Sequence, residues 1–232
     1  MDKNELKKNV SERIDEIMRE KGYFKKKELH YYMPAHNRFL YTICFDIVNY
    51  GNNEGFSISP YVGIKNMNVT FVQYEIDKSV FDGDVIFFSD FFSNIGSLSL
   101  QGQYKTWYFS TNHEESRRII DQMMVFLWET CDTFFQTVST PEKYIEFAAS
   151  SESFTGIRQT LLMYYCCNRK DLGIKYLESL RGERIERIIR NRSKERVERF
   201  IYRYEHELPE DPDDLLKQVP AFCKKRRIKI ID

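Results

Sequence analysis

The apolar pattern of this 232-residue chain changes period once, near residues 110–114, and that change limits what the chain can fold into. Before it, apolar residues alternate in short runs, the period of strands. After it they recur at three and four, the period of helices. Strands followed by helices, rather than strands and helices in alternation, predict an α+β fold. The expected architecture is an N-terminal helix, an antiparallel β-sheet in the first half, and a helical second half with a C-terminal Arg-rich helix. The expected division is 1–112 and 113–232, packed as one unit, with 181–232 as an extension.

Individual elements follow from local signals. Leu6, Val10, Ile14, Ile17 and Met18 share one helical face, and Gly22 is placed to end that helix. FLYTICFDIVNY (39–50) is β-branched, aromatic and nearly uncharged, which predicts a strand. FSISPYVGI (56–64) predicts a second strand, placed at an edge or bulged because of Pro60. NIGSLSLQGQYKTWYFS (94–110) reads as a strand pair turning near Gln101–Gly102, and 68–92 gives no clear pattern. Helices are expected over 114–135, from Thr140-Pro141-Glu142 to about 149, over 154–168, 171–180 and 183–206.

Several function classes find no support. The formal net charge is zero, so any polyanion binding must come from a local patch. No apolar run approaches the roughly 18 residues of a membrane span. The charged N-terminus lacks the apolar region of a secretory signal. The five cysteines are odd in number and show no CxxC spacing. A cytoplasmic protein without membrane contact is expected. GxSxG, GxxxxGK[ST], a GxGxxG after a strand, and HxE with PCxxC are all absent. No catalytic residue, metal site or cofactor is expected, since His30, His36, His113 and His206 lack ligand spacing.

Three constellations remain, each with an ordinary structural reading beside it. Asp77, Asp82, Asp84 and Asp90 form an acidic run, ordinarily a solvated loop. With Tyr104, Trp107 and Tyr108 as aromatic anchors they are candidates for docking a basic protein partner. Tyr31 and Tyr32 are further aromatic candidates, whereas Trp107 also suits a core position. Glu75, Asp77 and Asp82 beside Lys78 loosely match the carboxylates of a metal-dependent nuclease. Residues 181–199 carry eight basic side chains against four acidic ones. The ordinary reading is a solvated face laced with pairs such as Glu183–Arg187 and Glu195–Arg199. The alternative is a nucleic-acid contact through Arg184, Arg187, Arg190 and Arg192, together with Lys224, Lys225, Arg226 and Arg227 of the basic tail.

The run GYFKKKELHYY, a strand, FSISPYVGIKN, then SNIGSLSLQGQYKTWYFS and TFFQTVSTPEKY, over roughly 10–180, resembles an uncharacterised bacterial family. That family is the domain of unknown function 4304 and its relatives. The shared features are structural glycines and aromatics, so the resemblance transfers no catalytic residue. It implies a non-enzymatic immunity or antiphage-defence accessory protein that occludes or assembles a partner, such as a toxin or a defence-complex subunit. The Arg-rich helix and basic tail fall outside it, leaving a nucleic-acid-binding component of a defence complex as the alternative.

Overall fold

The computed structural model describes residues 2–50, 55–77, 90–99, 102–110, 113–151, 153–180 and 194–232. In chain order the elements are α1 (Lys3–Glu20), β1 (Phe24–Lys27), β2 (His30–Ala35), β3 (Phe39–Asn49), β4 (Gly55–Asn66), α2 (Met67–Ile76), β5 (Phe91–Asn94), α3 (Ile95–Leu98) and β6 (Trp107–Ser110). The second half is helical: α4 (His113–Gln136), α5 (Pro141–Ser150), α6 (Phe154–Cys166), α7 (Lys170–Leu180), α8 (Lys194–His206), α9 (Asp213–Leu216) and α10 (Val219–Lys225). This is the α+β arrangement read from the sequence, with a six-stranded antiparallel sheet in the first half.

Contacts divide the chain into two units, one of 1–34, 40–64 and 86–136, the other of 35–39, 65–85 and 137–232. The division does not follow the change of period. Helix α4 belongs with the sheet, whereas 35–39 and α2 belong with the later helices.

In the sheet unit, β1 to β4 run side by side in sequence order. Both β5 and β6 then pair with β4, β6 opposite Gly55–Ile58 and β5 opposite Tyr61–Ile64. This corrects two expectations. The described arms of 94–110 do not pair with each other: Asn94 ends β5 and caps a helical turn at Ile95–Leu98 through its side chain, and Trp107–Ser110 is a strand paired with β4. Nor is β4 an edge strand. The carbonyl of Ile64 accepts from Asp90 N, and that of Ile58 from the Thr106 hydroxyl. The even positions of β4 therefore present their backbone groups to the β5/β6 side. Pro60 is one of them, and its missing N–H falls in the gap between the two partners, so no ladder bond is lost.

One face of this sheet is covered by α1 and α4. Asp2 caps α1, accepting from Asn4 N at 2.5 Å, and Gly22 (φ +84°) ends it. Leu6, Val10, Ile14 and Met18 form its buried stripe. Each such side chain contributes about 1.5–3 kcal/mol by leaving water. Phe56 and Phe109 stack at 5.2 Å on this inner face, and Tyr31 meets Phe45 edge-on at 6.0 Å. Trp107 also points inward, edge-on to Phe126 of α4 at 5.7 Å, with Lys105 Nζ 4.1 Å from the Phe126 centroid.

The helical unit packs α5, α6, α7 and α8 with α2 and the last two helices. Helix α2 is buried nearly all round, at Met67, Val69, Thr70, Phe71, Val72, Gln73 and Ile76, which explains why its sequence shows no amphipathic period. Thr140 caps α5 as its motif predicted, accepting from Lys143 N at 3.3 Å. Phe39 packs on Tyr144 at 5.6 Å, and Phe71 meets Phe222 edge-on at 5.1 Å. Arg38 ties distant parts of this unit together, reaching Asp232 (2.6 Å), Asn68 (3.0 Å) and the Leu216 carbonyl (3.2 Å).

Candidate functional site

Strand alternation sorts the aromatic residues of the sheet unit onto two faces. Phe56, Ile58, Val62 and Ile64 of β4 face the helices and are wholly buried. The odd positions face the other way, and there the buried Ser57 and Ser59 are each hydrogen-bonded by a tyrosine. Tyr50 donates to Ser57 Oγ (3.2 Å), and its ring lies 5.5 Å from that of Tyr108. Tyr104 donates to Ser59 Oγ at 2.9 Å, so Tyr61, 3.1 Å from the Tyr104 oxygen, donates to it in turn. Phe92 stacks on Tyr61 at 5.1 Å and 11°. Two small serines on one strand thus anchor two adjoining aromatic clusters.

This outer face is unusual for its exposure. Tyr104 is 60% exposed, Tyr108 47%, Phe92 45%, Tyr50 44% and Val48 47%. Five of the eight exposed large apolar side chains among the described residues lie here, which makes a patch rather than a scatter. Asp46, the exposed residue two before Val48 on β3, supplies a carboxylate; its charge and the thiol of Cys44 act on Tyr61. The Tyr61 phenol is pushed up to about 12, first by its hydrogen bond to Tyr104, then by burial.

Cys44 lies 3.1 Å from His30 Nε2, a contact between adjacent strands that fourteen residues of sequence separation conceals. Burial pushes its thiol up to about 12, with Asp46 adding to the effect. A nucleophilic pair needs a thiolate, and this site suppresses one. Iodoacetamide at pH 8 is expected to label Cys44 about tenfold or more slowly than free glutathione. Site-resolved mass spectrometry checks this, and labelling at the glutathione rate contradicts it.

Of the residues singled out in the sequence, Tyr104 and Tyr108 lie in the exposed patch, and Trp107 does not, because its strand position turns it toward α4. Tyr31 and Tyr32 are buried. Asp90 is buried as well, since its backbone extends the β4–β5 pairing, and it offers no docking surface. Glu75 lies in the last turn of α2 and Asp77 is its C-cap, so these carboxylates are helix-borne rather than strand-borne. Asp82 and Asp84 lie outside the described residues, as do Arg184, Arg187, Arg190 and Arg192. Among the described residues no three His, Cys, Asp or Glu side chains gather into a metal-binding group. The residues that sequence reasoning missed are Asp46, Tyr50, Tyr61 and Phe92. The alternation of β4 carried a signal for Tyr61, opposite in parity to Phe56 and Ile58.

In the helical unit, Lys224, Lys225 and Arg227 are exposed. Arg226 is held inward, its guanidinium 3.7 Å from the Phe222 ring centroid and 5.2 Å from that of Tyr74. The described part of the Arg-rich segment, α8, buries Val197, Phe200 and Tyr204 and sets Arg196, Arg199 and Arg203 one position earlier in each turn. These arginines border a cleft with α2 and α6. No described helix is long and apolar enough to cross a membrane. Comparison with protein-family models, curated proteins and solved structures finds no match for this chain.

Proposed function

We propose that the protein is a non-enzymatic binding module that docks a protein partner on the outer face of its sheet, and that the partner presents a basic segment there. The observation that carries this reading is the patch of Tyr50, Phe92, Tyr104 and Tyr108, exposed yet fixed by stacking and by hydrogen bonds to buried serines. Tyrosine fixed in this way gives large contact area at little further entropy cost and is the residue type of interface hot spots. Asp46 beside Tyr61 sets the sign of the partner: an arginine or lysine stacked on the tyrosine faces meets both a carboxylate and electron-rich rings. The likeness to immunity-type proteins read from the sequence agrees with action by occlusion or assembly in the cytoplasm, with a toxin or defence-complex subunit as the partner class.

The test is binding to the product of the neighbouring gene, measured for the wild type and for Tyr104→Ala, Phe92→Ala and Asp46→Lys. Each variant is expected to weaken binding by about 2 kcal/mol, roughly thirtyfold, with the melting temperature little changed. A partner bound equally by all four proteins would overturn the assignment of this face.

A further inference from the structure

We propose that the cleft between the C-terminal end of α2 and helices α6 and α8 is a binding site for a single phosphate group. This rests on the helical unit alone and is independent of the docking face. The cleft is lined by Arg158, Arg196, Arg199 and Arg203, against one carboxylate, that of Asp77. Four guanidinium groups stand around one opening, and with Asp77 in the lining and Glu195 and Glu207 paired to Arg199 and Arg203 the concavity keeps a net positive charge in a chain whose net charge is zero.

The arginines divide in role. Arg203 donates to the carbonyl of Ile76 and lies 3.5 Å from Glu207, so it closes the end of α2 and is held rigid. Arg196 and Arg199, three residues apart on α8, are on the open side. Arg199 pairs with Glu195, whose side chain is 78% exposed. Such an exposed pair is weak and gives way to a doubly charged oxyanion. Among the described residues no ion pair engages Arg196. Guanidinium groups match the tetrahedral oxygens of phosphate in forked pairs, which ammonium groups do not.

The open side of the cleft, where Arg196 and Arg199 lie, leaves room for whatever bears the phosphate to stay outside, so the recognised chemistry is the phosphate group itself. That group has two sources, a free phosphate or the terminal phosphate of a nucleic-acid strand.

Isothermal titration of the full chain with inorganic phosphate, and fluorescence anisotropy with a short oligonucleotide bearing either a 5′-phosphate or a 5′-hydroxyl, separate them. The expected result is saturable binding of a phosphate probe that falls at least about tenfold in Arg196→Ala/Arg199→Ala and is unchanged in Lys224→Ala/Lys225→Ala. All four substituted residues are exposed, so folding is retained. Preference for the 5′-phosphate strand over the 5′-hydroxyl strand supports the site and assigns it to strand ends. Binding of inorganic phosphate without that preference supports it for the free anion. No binding of either phosphate probe overturns the proposal, as does oligonucleotide binding that ignores the 5′-phosphate, or binding weakened equally by the lysine pair.

Discussion

Replacing Gly173 with alanine is expected to destabilise the helical unit by about 3 kcal/mol, the upper range for forcing an extra carbon into a filled core. A Cβ at this position of α7 would lie 1.9 Å from the Tyr204 hydroxyl oxygen and 3.0 Å from the ring carbon that bears it. Neither side has room to yield. Tyr204 is fully buried, with its ring 6.4 Å from Phe200. Its hydroxyl makes no hydrogen bond among the described residues, so it is held by packing and not by a donor or acceptor that a shift would carry along. In a chain of this length that loss lowers the melting temperature by about 6–12 °C. The source of the effect can be isolated. Tyr204→Phe alone removes an unsatisfied buried hydroxyl and is expected to be neutral or stabilising by about 1 kcal/mol. Added to Gly173→Ala it removes the closest clash, so the double variant should recover more than half of the loss. A double-mutant cycle by urea unfolding measures this coupling, and additive effects would refute it.

Phe39→Ala is expected to cost about 3–5 kcal/mol, the range for emptying a buried aromatic site. Phe39 opens β3, yet by its contacts it belongs to the helical unit. It is 1% exposed and packs on Tyr144, which is 0% exposed. Its neighbour Arg38 bonds to Asn68, Leu216 and Asp232 of the same unit. The segment 35–39 is therefore a peg of chain set among helices, and alanine leaves a ring-sized void beside Tyr144. Phe39→Leu, which keeps most of the volume, should retain more than half of the stability. Chemical denaturation of the three proteins checks this, and an alanine loss under about 1 kcal/mol would show that the site collapses to fill the space.

Much of this architecture is legible in the residues. The stripe Leu6, Val10, Ile14, Met18 and the Thr140-Pro141 start specify their helices because local pattern and packing agree there. The same agreement gives β3 and β4. Local signals fail where a residue answers to a distant partner. No local pattern marks the KKK of β1 as a strand, and there Lys25 pairs with Asp15 of α1 at 2.5 Å. The strand-like 94–98 becomes a helical turn because the Asn94 side-chain oxygen accepts from both Gly96 N and Lys105 N. For the exposed aromatic face, Tyr104 and Tyr108 stand out in the sequence, but Trp107 stands out equally, and only strand parity separates it from them. The arginine-lined cleft draws on residues 73–77, 158 and 196–203, which no spacing rule connects.

The place of Pro60 has a consequence for how the protein keeps to itself. A twelve-residue strand whose outer side was open along its length would be a template for a second copy, strand added to strand. On β4 that side is taken by two short strands from different parts of the chain, and the one position between them has no N–H to offer. If β5 or β6 came loose, at most one half of the edge would be uncovered, and an incoming strand could not zip past residue 60. Proline here acts as a stop built into the sheet, limiting any edge-to-edge growth to a few bonds.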